Sequence, residues 1–217
     1  VQAGRGKKKH DAETEQNMQM NRRIVFLAAA IVVLLLLLLL LMTCRRRSVC
    51  STFDKDDEGW RVTGDVQNES AKPDFIDREG NPGGCLSATD QAAGGVWYWN
   101  APGKFLGSKA WMMGGELSYD LKQSETDSQF EAADVILEGK GMSLLYVFPR
   151  RPGKEWTSFK AVLSAGEGWK KNDINGAAAG EGDFRKVLSA LEGLKIRSEY
   201  RTGPDKGDID NVCMGKR

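Results

Sequence analysis

The chain has 217 residues, with 31 Lys and Arg against 30 Asp and Glu, a formal charge of +1. That balance hides an asymmetry: residues 1–23 hold six basic and three acidic side chains, Arg45, Arg46 and Arg47 add three positives, and the remaining chain is left at −5. So acidic a remainder argues against a nucleic-acid module, which needs a basic face for phosphates, and a lone histidine, His10, leaves no Ser/His/Asp or Cys/His constellation for nucleophilic catalysis.

Residues 1–23 lack apolar periodicity and are read as a short, solvated basic arm. Ile24–Cys44 then runs twenty-one residues without a charge and includes eight consecutive leucines, Leu34 to Leu41. As a helix it would rise roughly 31 Å, the thickness of a bilayer's hydrocarbon core. A cleaved secretory signal usually has an apolar region of only ~7–15 residues, so the stretch is read as a single transmembrane helix. The basic count of the short arm sets the large domain on the extracytoplasmic or lumenal side. An organelle membrane satisfies the same reading. Residues 45–52 follow as a juxtamembrane stalk, residues 53–214 as the folded domain and 215–217 as a tail.

Within the domain the strands come first. Arg61 to Asp65 reads as a strand entering a turn, and Asn68-Glu69-Ser70 matches the N-glycosylation pattern, with Asn68 the acceptor if the domain faces the secretory lumen. The run Arg78-Glu79-Gly80-Asn81-Pro82-Gly83-Gly84 reads as loop. Gly95 to Asn100 is aromatic and strand-prone, and Lys104 to Gly107 forms an apolar turn. Gly115 to Leu121 alternates, with Leu117, Tyr119 and Leu121 on one face. Ala133–Gly139 and Met142–Phe148 form a hairpin through Gly139-Lys140-Gly141, and Trp156 to Leu163 alternates again.

One helix is expected, over Asp183–Leu191, because Phe184, Val187, Leu188 and Leu191 fall on one stripe. Leu194 to Tyr200 alternates strictly as a half-buried strand, and Asp208 to Met214 supplies a last one. Many short strands between glycine turns, with one short helix, argue for an all-β sandwich. Of the four cysteines, Cys50 and Cys213 lie near the two ends of the domain. A bridge between them would tie its terminal strands; the alternative is free, buried thiols.

Several runs resemble a known family. Trp97-Tyr98-Trp99-Asn100-Ala101-Pro102-Gly103-Lys104-Phe105-Leu106-Gly107 is similar to the Y-F/W-x-A-P-x-x-F-L-G signature of the laminin IV type A (laminin B) domain. Gly114-Gly115-Glu116-Leu117-Ser118-Tyr119 resembles the strand after its S-Y-G-G-x-L turn, with Met112-Met113 in place of Ser-Tyr. Val135 to Gly139 resembles its V-x-L-x-G hairpin. Phe184 through Ile196-Arg197-Ser198-Glu199-Tyr200 resembles its last helix and strand, and Asp210-Asn211-Val212 matches its closing D-N-V. The resemblance spans roughly residues 50–214. It implies a jelly-roll, galactose-binding-like β-sandwich and a non-catalytic module of matrix and cell-surface proteins.

Two candidate sites follow. Asp54, Asp56 and Asp57 lie on an acidic loop whose hard oxygen donors suit calcium. Related sandwiches hold a structural calcium near the position of Asp210, so these four form a candidate calcium set; the alternative is a solvated acidic surface. Trp97, Tyr98 and Trp99 are candidates for a ligand or partner surface. Alternation sends the two tryptophans to one face and Tyr98 to the other, and one of those faces is core. No other cofactor is implied. The sequence therefore points to a non-enzymatic, membrane-tethered interaction module, an accessory subunit whose partners are the lipid bilayer and membrane-proximal proteins. The second reading is a glycan-binding adhesion module.

Overall fold

The computed structural model describes Met20, residues 22–27, 29–35, 47–64, 70–89 and 95–216. The chain divides into two compact units, Val1–Arg45 and Arg46–Arg217.

In the first unit Met20, 22–27 and 29–35 are helical, and Ile24, Val25, Phe26 and Leu27 are exposed. The expectation of a single-pass membrane protein is corrected at this point. Among the described residues no helix is long and apolar enough to cross a membrane. Residues 36–44 of the expected span lie outside the described residues, as does His10.

In the second unit the described strands are β1 (Ser48–Ser51), β2 (Arg61–Gly64), β3 (Ser70–Ala71), β4 (Asp74–Gly80), β5 (Gly83–Thr89), β6 (Trp97–Asn100), β7 (Glu116–Gln123), β8 (Val135–Gly139), β9 (Met142–Tyr146), β10 (Thr157–Val162), β11 (Lys170–Lys171), β12 (Gly193–Arg197) and β13 (Lys206–Gly215). They build two sheets, ordered β10-β7-β13-β5-β4 with β1 also on β13, and β11-β9-β8-β12-β6-β2-β3. Every strand pairing is antiparallel. The domain is thus an all-β sandwich with few helices, as the spacing of its strands suggests.

Alternation explains which side chains meet between the sheets. Leu117, Tyr119 and Leu121 of β7, Phe159 and Ala161 of β10, and Leu194 and Ile196 of β12 are all buried, because side chains two apart share a face. Tyr119 stacks on Phe159 at 5.6 Å and meets Phe148 edge-on at 6.2 Å. Two tryptophans bury their rings while keeping a polar partner: Trp60 Nε1 donates to Ser51 Oγ at 2.8 Å, and Trp169 Nε1 donates to the Val162 carbonyl at 2.8 Å.

The short helix α1 (Glu181–Ser189) docks with Phe184, Val187 and Leu188 buried, and Leu191 beyond it is buried too. Its start is fixed by the Asp183 carboxylate, which accepts the Gly180 N–H at 2.8 Å; an acid at that end is also favoured by the helix dipole. The β8–β9 hairpin turns at Lys140 and Gly141, with φ of 50° and 68°. Two consecutive positive φ values match the tight turn whose twist suits flanking strands.

Two expectations about loops give way. Residues 78–84 are not a loop: β4 runs to Gly80, β5 begins at Gly83, and Gly80 pairs with Gly83 across Asn81-Pro82. Asp77, Arg78 and Glu79 are exposed, so this stretch carries no apolar alternation that would mark it as strand. Ser48–Ser51, within the expected stalk, is β1, and it pairs with the last residues of β13 with Cys50 opposite Cys213. These two cysteines are joined as a disulfide across 163 residues of chain. Cys85 is a free, buried thiol, and burial pushes it up to about 12.

Candidate functional site

The aromatic strand β6 splits as alternation dictates. Trp97 and Trp99 are 1% and 0% exposed and meet edge to face at 5.4 Å. They belong to the core, and a surface ligand cannot reach them. Tyr98 points the other way, half-buried, and sits opposite Arg197 in the sheet register. Burial raises its hydroxyl above the ordinary range, and the charges of Arg197, Asp134 and Glu199 also act on it.

Arg197 and Asp134 form a centre that neither composition nor spacing announces. Both are nearly inaccessible, at 1% and 2% exposed. Arg197 ends β12, and Asp134 immediately precedes β8. The two backbones join where the Arg197 N–H donates to the Asp134 carbonyl at 2.8 Å. The guanidinium donates through Nε to the Glu199 carbonyl at 2.5 Å and through Nη2 to the Phe130 carbonyl at 2.9 Å. Nη1 reaches the Ala132 carbonyl and Asp134 Oδ1, each at 3.5 Å. The rings of Phe130 and Tyr200 lie 4.6 and 4.4 Å from its central carbon, so the planar cation is enclosed by aromatic faces. Asp134 Oδ2 accepts the Phe148 N–H at 2.6 Å. Burial raises the Asp134 carboxyl above its usual range, and the Phe148 N–H and Arg197 oppose that rise.

Above this pair opens a cleft of about 650 Å³, lined among others by Gln129, Glu131, Asp134, Phe148, Arg151 and Arg197. Its walls come from the chain before β8, the chain after β9 and the end of β12. The hairpin register sets Val135 opposite Tyr146 and Ile196 opposite Val135, so all three meet at one end of the seven-stranded sheet.

The expected calcium set does not assemble. Asp56 Oδ1 accepts the Glu58 N–H at 2.8 Å, and Asp57 Oδ1 accepts the Gly59 N–H at 2.9 Å. Asp57 also faces Lys72 at 3.1 Å and Arg61 at 3.7 Å, and Asp54 Oδ2 accepts the Thr52 hydroxyl at 2.7 Å. Asp56 and Asp57 are thus spent on holding their own loop, an arrangement short acidic side chains favour. Among the described residues no group of three or more His, Cys, Asp or Glu side chains comes together to hold a metal.

Asp210 lies at a bulge of β13, beside Asp120 and near enough to Asp54 for both charges to act on it. A bulge in the β13–β7 pairing falls between Asp210 and Cys213, and Asn211 there has φ of 52°. Asp210 is 0% exposed. Oδ2 accepts the Asn81 N–H at 2.6 Å, and Oδ1 accepts the Asn211 N–H at 2.6 Å. The side-chain amides of Asn81 and Asn211 donate to Asp120 Oδ2 at 3.2 and 2.9 Å. Burial pushes the Asp210 carboxyl up to about 6; the two backbone N–H groups oppose the rise, and the charges of Asp120 and Asp54 reinforce it. Asn68, the glycosylation candidate, lies outside the described residues.

The model of the laminin B (domain IV) family matches residues 98–216, more than half of the chain. The chain belongs to the laminin B family. It is 30% identical over 173 residues to laminin subunit gamma-1 of Danio rerio, covering 76% of this chain and 10% of that protein. It is 33% identical over 112 residues to the basement membrane proteoglycan of Caenorhabditis elegans, covering 51% of this chain and 3% of the relative. The chain thus spans a tenth or less of those relatives. Among solved structures, the L4b domain of human laminin alpha-2 superposes with a TM-score of 0.62 at 14% identity, covering 78% of this chain and 97% of that one. The membrane-protein reading finds no support here: the chain is similar to laminin subunits, and among the described residues no helix is long and apolar enough to cross a membrane.

The family resemblance in the sequence passes through Arg197 without giving it a role. No sequence signal singles it out: the strict alternation expected from Leu194 to Tyr200 breaks only in the structure, where Ser198, Glu199 and Tyr200 beside it are all buried. Asp134 stands between Ala133 and Val135, where nothing marks it.

Proposed function

We propose that this laminin B domain is a non-catalytic adhesion module that engages macromolecules of the extracellular matrix, on a sandwich of the jelly-roll kind. Family membership supports this reading, and the matching proteins bear the names of laminin subunits and a basement membrane proteoglycan. The observation that carries it is the state of the buried charged pair. Arg197 is occupied by three backbone carbonyls and Asp134 by a backbone N–H, so the pair shapes and stiffens a cleft. A general acid or base instead needs a proton-transfer partner within reach of a substrate. A glycan is the favoured occupant of that cleft, because its lining is polar and carries both signs of charge.

The test uses the full chain, immobilised and presented with individually purified basement-membrane proteins and with neutral and anionic glycans. In parallel it is assayed with chromogenic glycosides, esters and peptides. Saturable binding to a matrix component with no turnover is the expected result. Turnover of any chromogenic substrate, or failure to bind every component, removes the reading.

A further inference from the structure

We propose that the cleft over Asp134 and Arg197 is a binding site for a neutral saccharide segment. The proposal rests on the reading of the domain as a binding module and names the place and the ligand chemistry.

Three features fit. The first is preorganisation. A saccharide offers hydroxyls that both donate and accept, and it is held best in a cleft whose floor is already fixed in place. Arg197 and Asp134, more than nine-tenths buried, are fixed by the backbone bonds to Phe130, Ala132, Phe148 and Glu199. Nothing has to be ordered on binding at the floor of the cleft.

The second is composition. The rim adds an amide at Gln129, a carboxylate at Glu131 and a guanidinium at Arg151, with Glu131 and Arg151 exposed. Donors and acceptors of both signs therefore face one space. A strongly anionic ligand would meet Glu131 and a cationic one would meet Arg151, over a floor whose own charges are already paired, so a neutral ligand is matched best. Phe148, half-buried in the wall, supplies an apolar patch of the kind on which the C–H face of a sugar ring rests.

The third is position. Extended peptides usually add to a free sheet edge or insert side chains into an apolar pocket. This cleft lies at strand ends, where β8 starts and β9 and β12 finish. Its walls offer no strand edge to extend.

The experiment measures binding of the full chain to short neutral gluco-, galacto- and manno-oligosaccharides, by calorimetry and on a printed array, with heparin and basement-membrane proteins alongside. The variants are Glu131→Ala and Arg151→Ala; both residues are exposed, and melting curves check that the fold is kept. The expected result is saturable binding to a neutral oligosaccharide that weakens about tenfold or more in each variant at unchanged melting temperature. Undiminished oligosaccharide binding by both variants overturns this site while leaving a glycan-binding module standing. Binding only to heparin, or only to a protein, overturns the neutral-saccharide assignment and leaves the module reading intact. Binding to nothing in the panel overturns both.

Discussion

Two corners of the sandwich bury a carboxylate, and they do so by opposite means. At the end of the seven-stranded sheet Asp134 has a cation beside it, and that cation is itself satisfied by backbone carbonyls. In the other sheet Asp210 has only amide donors, and its charged neighbours, Asp120 and Asp54, share its sign. A guanidinium brings charge compensation with planar geometry, whereas N–H groups alone cannot offset burial together with like-charge repulsion. The first corner is therefore a rigid, charge-matched floor suited to shaping a cleft. The second is a buried acid held by its neighbours against its own ionisation.

The strongest way to break this contrast is to delete the cation. Arg197→Met leaves Asp134 without its counter-charge and frees three carbonyls, with an expected loss of about 3–5 kcal/mol in urea unfolding. A variant as stable as the parent would mean that Asp134 does not depend on Arg197. Next comes the covalent tie of the other corner. Cys50 and Cys213 join β1 to β13, the strand that carries Asp210. Replacing both cysteines by alanine should cost about 2–4 kcal/mol, read from the denaturant midpoint under oxidising conditions.

The third test is pH. The folded Asp210 carboxyl titrates at about 6 against an ordinary 3.8, so between those values the native state binds more protons than the unfolded chain. Stability then falls as pH rises from 3.8 to 6, by at most about 3 kcal/mol. Asp134, also raised, contributes with the same sign. Melting measured across that range should show the decline, and Asp210→Asn should flatten it. A parent protein that gains stability across the same interval would contradict the picture of Asp210.

The smallest effect concerns an acid that is not buried. Asp183 accepts one backbone N–H at the start of α1, and that bond, with help from Lys171, holds its carboxyl below the usual range. Asp183→Ala should lower stability by about 1 kcal/mol or less. It marks how little a carboxylate contributes when water can replace its donor.

Much of the fold is legible in the chain. Strands with one wet face announce themselves by alternation, as in Leu117-Ser118-Tyr119 and in the hairpin through Lys140-Gly141, and α1 announces itself by the spacing of Phe184, Val187 and Leu188. The β4–β5 hairpin does not. Its exposed Asp77-Arg78-Glu79 looks like loop, and only the pairing of Asp74 to Ile76 and of Gly80 with β5 on either side holds it in the sheet. The apolar run from Ile24 carries the composition of a span, yet among the described residues no helix is long and apolar enough to cross a membrane.

Local chemistry alone determined the sandwich class, the core face of each alternating strand and the family, because these depend on periodicity and on short runs of fixed residues. The tertiary structure decided what the charged groups do. It spent Asp56 and Asp57 on their own loop, buried Trp97 and Trp99, and set Asp134 against Arg197 across 63 positions of sequence. Such pairings depend on which strand ends meet, and that is set by long-range packing that no local pattern records.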